Sequence, residues 1–237
     1  MRIAVIPARF GSKRIKKKNI KNFYSKPMIY WAIKRIKDSN LFDFICVSSD
    51  NNKILNIAKK YGVKILIKRP TSLSDDRTPT KPVIIHAIQY LEKLKIKFET
   101  ICCIYPCNPF VLAEDLRRAF KIYKKNSSNF VFPVVEYSHP IQRALRINSK
   151  SRIKPITFEN INKRTQDLEK SYFDSGQFYF GSKSTWRSNK NPHHNGIPLI
   201  IPSWRVVDID NLNDWKRAEL LFKILNNKSF KINNYVK

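Results

Sequence analysis

Two short segments of this chain carry side chains whose types and spacing could do chemistry. The first is Pro7-Ala8-Arg9-Phe10-Gly11-Ser12-Lys13-Arg14-Ile15-Lys16-Lys17-Lys18-Asn19, which holds six cations: Arg9, Lys13, Arg14, Lys16, Lys17 and Lys18. Charge-assisted bonds from Arg and Lys to phosphate are strong, and a polyphosphate would relieve their mutual repulsion. Gly11 lets a backbone approach phosphate oxygens, and Ser12 adds a hydroxyl. A merely solvated loop in a basic protein is the competing account. The second segment is Val206-Val207-Asp208-Ile209-Asp210. Read as a strand, it points Asp208 and Asp210 to one face. Two carboxylates held together repel unless a cation sits between them. One aspartate capping the helix that follows is the competing account. Only 18 acidic residues occur among 237, so chance pairing on one face is a weak explanation.

The elements that must position these segments follow from hydrophobic periodicity. Strand-like runs occur at Ile3-Ile6, Phe44-Val47, Val63-Ile67, Thr100-Tyr105, Phe130-Val135, Gln177-Phe180, Leu199-Ile201 and Arg205-Val207. Helical stretches start at Pro27 and run over about 53–61, 82–94, 113–123 and 212–225. Strands alternating with helices predict an α/β fold with a mostly parallel sheet covered on both faces. In such sheets ligands bind beyond the carboxyl ends of the strands, where the first basic loop falls. The alternation breaks over about 138–175, which reads as an insertion within a single domain spanning 1–237. The Lys- and Asn-rich tail after Asn226 reads as disordered.

Composition removes several function classes. No apolar run is long enough to span a membrane, and the opening Met1-Arg2-Ile3-Ala4-Val5-Ile6 is too short for a signal-peptide core. Cys46, Cys102, Cys103 and Cys107 form no CxxC pair, as expected of buried thiols in a cytoplasmic protein. His193-His194 sits in a Pro/Asn/Gly segment without a nearby cysteine and reads as a solvated loop. The net charge of +28 raises nucleic acid as a partner. The lysines are scattered, however, and no nucleic-acid motif accompanies them, so no nucleic-acid partner is expected. The same charge would steer a small polyanion inward. The basic loop is neither a Walker A motif nor a GxGxxG fingerprint, which argues against an ATPase or a dehydrogenase.

The run Ile-Pro-Ala-Arg-x-Gly-Ser-Lys-Arg-Ile-x-x-Lys-Asn-Ile at 6–20 resembles the opening motif of the sugar-acid cytidylyltransferases, the family that includes the CMP-N-acylneuraminate synthetases. The resemblance implies a Rossmann-like nucleotidyltransferase sandwich. It implies nucleotide contacts from Ala8, Arg9, Gly11, Ser12, Lys13, Lys18 and Asn19, with Phe10 standing where the family carries Gly. Ser48-Ser49-Asp50 resembles the family's Ser-Ser/Thr-Asp and reads as a helix cap bordering the base pocket. Arg69-Pro70, Leu73, Asp75-Asp76 and Thr78 resemble a second family segment, which implies nucleotide roles for Arg69 and Thr78. Val206–Asp210 with the following helix resembles the family's metal-binding motif. This implies that Asp208 and Asp210 hold Mg²⁺, which prefers few carboxylates completed by phosphate and water. Lys13, Asp208 and Asp210 are then the expected catalytic groups.

Tyr105-Pro106-Cys107-Asn108-Pro109 places Tyr105 where sialic-acid enzymes carry a glutamine, which resembles the pseudaminic acid branch. Segments 139–145, 164–168 and 174–179 resemble the same branch. They imply a homodimer whose arm lends residues to the sugar pocket of the partner subunit. Arg143 and Arg164 could pair with a sugar carboxylate, though each singly fits a solvated arm as well. Gln177 and Tyr179 are candidate hydrogen-bonding groups for the same sugar. The implied substrates are CTP and a nine-carbon sugar acid, pseudaminic acid first, with N-acetylneuraminic or legionaminic acid as alternatives. A basic nucleic-acid-binding protein and an inactive relative are the rivals from other classes.

Overall fold

A computed structural model describes residues 1–226. The expectation of a disordered tail after Asn226 lies outside the described residues. The strands are β1 (Arg2–Pro7), β2 (Asn22–Phe23), β3 (Lys26–Pro27), β4 (Phe44–Ser49), β5 (Ile65–Lys68), β6 (Thr100–Ile104), β7 (Val131–Glu136), β8 (Leu145–Ile147), β9 (Ile153–Pro155), β10 (Tyr172–Asp174), β11 (Phe178–Ser182) and β12 (Ile197–Ile200). The α-helices are α1 (Met28–Ser39), α2 (Asn52–Lys60), α3 (Thr80–Lys93), α4 (Ala113–Lys125), α5 (Lys183–Arg187) and α6 (Leu212–Leu225).

The main sheet has eight strands in the order β10-β7-β11-β6-β1-β4-β5, with β12 also on β7. β1, β4, β5 and β6 run parallel, while β11 and β10 are antiparallel to their neighbours. The chain builds outward from β1 through β4 to β5, then crosses back to place β6 on the other side of β1. The carboxyl ends of β1 and β6 therefore flank a topological switch point, where loops diverge and leave a crevice.

Alternation along β1 divides the interior. Ala4, Ile6 and Ala8 pack against α1, α2 and α4, while Ile3 and Val5 pack against α3 and Trp186 of α5. Both faces of the sheet are thus covered, as the near-continuous apolar strands require. A third cluster joins Ile15 of the basic loop, Met28, Phe110, Val207, Ile209, Trp215 and Phe222. This cluster draws on residues from both ends of the chain and ties the basic loop to the acidic segment.

Three expectations need correction. Arg205-Val207 is not a strand: Ser203–Arg205 forms one 3₁₀ turn, and 206–210 runs on as irregular chain without a ladder partner. Pro202 and the turn bond from Val206 N to Ser203 O break the strand. The inserted stretch also ends before 175, because β10 pairs with β7 inside the main sheet. The arm proper is the β8–β9 hairpin and the short turns around it. His193 is not simply solvated: its ring lies against Phe132, and Nε2 is 2.8 Å from Asp174 Oδ2.

Candidate nucleotide and metal site

A cleft of about 360 Å³ opens at the switch point. Pro7 and Arg9 reach it from the end of β1, and Tyr105, Pro106, Cys107 and Asn108 from the end of β6. Lys18 and Asn19 line it from the basic loop, and Asp208 from the acidic segment. Arg69, Thr78, Thr80 and Val83 close one wall, with Ser175 and Gly176 on another. The first turn of α3 borders the cleft with no side-chain cap; Pro79 and Pro82 have no N–H, so only the amides of Thr80 and Lys81 are left without an intrahelical partner there.

The basic loop is braced from two sides before any ligand is considered. Asp50 Oδ1 accepts from the Phe10 N–H at 2.9 Å, and Asn19 Nδ2 donates to the Arg9 carbonyl at 2.8 Å. Asp50 is therefore a loop brace, and the cap of α2 is Asn51, whose side chain accepts from Lys53 N. The loop's cations then divide. Arg9 and Lys13 pair with Asp76, while Arg14 lies 2.8 Å and Lys18 3.5 Å from Asp210. Lys18 Nζ also donates to the Ile209 carbonyl at 2.7 Å. The two candidate segments thus meet directly, through Arg14, Lys18 and Asp210.

Burial alternates along the acidic segment even without a sheet. Val207 and Ile209 are buried in the third apolar cluster, while Asp208 is exposed and Asp210 half-buried on the opposite side. Asp210 is anchored further by Asp214, whose carboxylate accepts from Asp210 N and Asn211 N and completes the capping box of α6. Asp208 has no cation within ion-pair distance among the described residues. The cleft walls, and next the charge of Asp210, push its carboxyl above the ordinary carboxylate range. Two carboxylates, one unpaired and disfavoured as an anion, are a donor set that a hard divalent cation would satisfy. No group of three or more His, Cys, Asp or Glu is placed to hold a metal among the described residues, so such an ion would draw its other ligands from phosphate and water.

Arg69 shows the strongest unmet demand. It is 5% exposed, yet Nε and Nη2 find no partner. Burial lowers its pKa, with Asp50 opposing. Unpaired guanidinium N–H groups are costly inside a protein, and these belong to a side chain lining the cleft, where a nucleotide oxygen would satisfy them.

Several expected site residues stand elsewhere. Ala8 is fully buried in the core, and only its backbone borders the loop, donating to Ser48 O. Gly11 faces open space and has an ordinary φ, so nothing there demands glycine. Ser12 and Lys13 do not line the cleft, and the Lys13 side chain is 85% exposed at its pairing with Asp76. Gln177 is buried outside the cleft lining; its backbone carbonyl accepts from Tyr105 N, and its side-chain Oε1 has no partner. Tyr179 is also a core residue; its hydroxyl donates to Asp174 Oδ2 at 2.5 Å. Arg143 and Arg164 remain on the arm, bonded to Thr165 Oγ1 and to Asp167. Neither lines this chain's own cleft.

Cleft residues that were given no site role in the sequence reading include Thr80, Val83, Asn108 and Ser175. Thr80 Oγ1 is 2.7 Å from the Tyr105 hydroxyl, and Asn108 Nδ2 donates to Gly176 O at 2.9 Å. Ser175 Oγ is buried without a partner. The signal for Asn108 and Ser175 was their place at strand ends beside the switch point.

Comparison with known proteins adds the chemistry. A family described as cytidylyltransferase matches residues 3–192. The chain belongs to the cytidylyltransferase family. It is 35% identical over 231 residues to a pseudaminic acid cytidylyltransferase of Campylobacter jejuni, covering 96% of this chain and 99% of that one. It is 28% identical to a CMP-N,N'-diacetyllegionaminic acid synthase of Legionella pneumophila, over 94% of this chain and 96% of that one. Among solved structures it is similar in fold to a CMP:2-keto-3-deoxy-manno-octonic acid synthetase complexed with CTP, with TM-score 0.69 and 13% identity over 94% of this chain and 99% of that one. This cytidylyltransferase is an enzyme with the Rossmann-like nucleotidyltransferase fold, as its opening motif implied. No helix among its described residues is long and apolar enough to cross a membrane.

Proposed function

We propose that this chain transfers CMP from CTP to the anomeric hydroxyl of pseudaminic acid, releasing pyrophosphate, with Mg²⁺ held at Asp208 and Asp210. The observation that carries the reading is the switch-point cleft, where Arg9, Lys18 and the unsatisfied Arg69 face the unpaired Asp208. The choice of sugar rests on the 35% identity to the Campylobacter jejuni enzyme over nearly both chains, and on Tyr105 at the end of β6.

Arg9, Lys18 and Arg69 would neutralise the triphosphate, and Thr80 at the start of α3 would offer a polar group to the nucleotide. Asp50 and Asn19 hold the loop backbone at Phe10 and Arg9, and the Arg9 guanidinium would exchange Asp76 for a phosphate oxygen. The sugar hydroxyl attacks the α-phosphorus, its proton leaves to solvent or a nearby base, and the bond to the β-phosphate oxygen breaks with pyrophosphate departing. Bound Mg²⁺ would supply charge neutralisation on the phosphate oxygens. Thr80, Tyr105, Asn108 and Ser175 offer the polar contacts for nucleoside and sugar at the other end of the cleft.

The reading includes a homodimer. Leu145, Ile147, Ile153, Ile156 and Phe158 of the arm are 61–75% exposed, an apolar surface that a second copy would cover. Arg143 and Arg164 on that arm would then approach the partner's cleft. Ile147→Asp with Ile153→Asp is expected to yield a monomer by light scattering; an unchanged mass rejects the arm as the contact.

The deciding experiment measures pyrophosphate release with CTP and Mg²⁺ against pseudaminic, N-acetylneuraminic and N,N'-diacetyllegionaminic acids side by side. Pseudaminic acid should turn over fastest. Preference for either other sugar would replace the substrate and keep the reaction.

A further inference from the structure

The segment 206–210 has no strand neighbour, so no ladder register orients Asp208 and Asp210. Val207 and Ile209 select which side faces the core, but apolar contact is non-directional and leaves the angle of the segment loosely set. Its downstream end is tied by the Asp214 capping box, and its middle by Lys18 on the Ile209 carbonyl. At its upstream end stands a different device. Arg205 Nη1 and Nη2 donate to Asp115 Oδ2 and Oδ1 at 2.5 and 2.8 Å. The two side chains are 3% and 2% exposed. Asp115 lies in the first turn of α4, where no side-chain cap is present and a carboxylate is favoured by the helix dipole.

We propose that Asp115 and Arg205 are positioning residues for the metal-binding carboxylates, a buried clamp that orients the acidic segment from outside the cleft. Neither side chain lines the cleft. A buried ion pair is a poor way to gain stability, because an apolar pair of similar volume often does as well or better. A bidentate fork does what an apolar pair cannot: it sets both distance and angle. Arg205 stands three residues before Asp208 and closes the turn from which 206–210 departs. α4 is packed on the sheet through Leu116, Ala119 and Tyr123, so the clamp refers the carboxylates to a rigid element. A ligand set must be held within about 0.5 Å to bind a small hard cation well.

The inference rests on the reading that Asp208 and Asp210 hold the cation. Its test uses the full chain and Mn²⁺ as a probe, titrated with CTP present and followed by water-proton relaxation. The double variant Asp115→Leu/Arg205→Met should keep the wild-type melting temperature to within about 3 °C. It should bind Mn²⁺ about tenfold more weakly. Amides of 206–210 should exchange with deuterium faster in that variant, with exchange in the core strands unchanged. Arg205→Lys, which keeps the charge and loses the fork, should fall between and serves if the double variant does not fold. Wild-type Mn²⁺ affinity and exchange in either folded variant overturn the clamp. If wild-type protein itself fails to bind Mn²⁺, the metal reading falls, and the exchange result alone decides whether the clamp orients the segment.

Discussion

The two walls of the cleft are built on opposite principles. The basic loop at 8–19 carries cations on long flexible stems, tied by partly solvated ion pairs to Asp76 and Asp210; Arg9 and Lys18 reach the cleft, while Lys13 and Arg14 stand outside its lining. The acidic segment at 206–210 presents two short side chains whose neighbours Val207 and Ile209 are buried, with a wholly buried ion pair behind them. Under the proposed function the difference is a division of labour. Neutralising a triphosphate tolerates redundancy, because several cations share one diffuse charge. Holding a small divalent ion does not, because few oxygens must meet at fixed distances.

Substitutions grade this contrast. The largest effect is expected at the acidic wall. Asp208→Ala and Asp210→Ala should each cut CMP transfer by about 10³-fold while the fold survives. Turnover within tenfold of wild type, measured at saturating CTP and Mg²⁺, would remove the pair from the mechanism. Arg69 comes next, being the one cleft cation that is buried and unsatisfied. Arg69→Met should raise the KM for CTP by about 10- to 100-fold. It should not lower the melting temperature, since it replaces a buried, incompletely paired guanidinium by an apolar chain. A large loss of stability with unchanged KM would make Arg69 structural.

The acid side of the pH profile sharpens the same contrast. Asp208 has its pKa raised by the cleft walls and by Asp210, so it takes up a proton at a higher pH than an ordinary carboxylate. As pH falls through that raised value, the Mg²⁺ needed for half-maximal rate should climb, and excess Mg²⁺ should restore the rate. Loss of activity that added Mg²⁺ does not reverse would place the titrating group elsewhere. The smallest effect is expected at Lys13, which is solvated and paired only with Asp76. Lys13→Ala should change kcat/KM by about threefold, with the difference shrinking as salt is added. A loss near that of Asp210→Ala would overturn the redundancy of the basic wall.

Much of this molecule was legible locally. The runs Ile3-Ile6, Phe44-Val47 and Thr100-Tyr105 became β1, β4 and β6, because uninterrupted apolar runs bounded by polar turns suit strands buried on both faces. Strand–helix alternation is lost over about 138–175, where the β8–β9 hairpin stands apart from the main sheet although β10 belongs to it. The motif at 6–20 implied the family, which the comparisons bear out. Side-chain direction was harder to read. Gln177 and Tyr179 look well suited to a polar ligand, yet their place in and beside β11 turns them into the core, and the adjoining turn at Ser175-Gly176 faces the cleft instead. Arg69 and Arg143 are chemically identical, but one is walled in at the end of β5 and the other stands on the arm.

What the sequence by itself determined is the set of elements and the chemistry on offer: a mostly parallel sheet, a run of cations after the first strand, and two aspartates spaced to share a side. Those properties depend on near neighbours, through the periodicity of burial and the types of adjacent residues. Only the tertiary structure decided which cations reach the aspartates, that Arg205 pairs with Asp115 ninety positions upstream, and that Thr80 and Ser175 join the cleft. Such meetings arise from the crossover that returns the chain to the far side of β1, and a contact set by a crossover leaves no mark on the residues beside it in sequence.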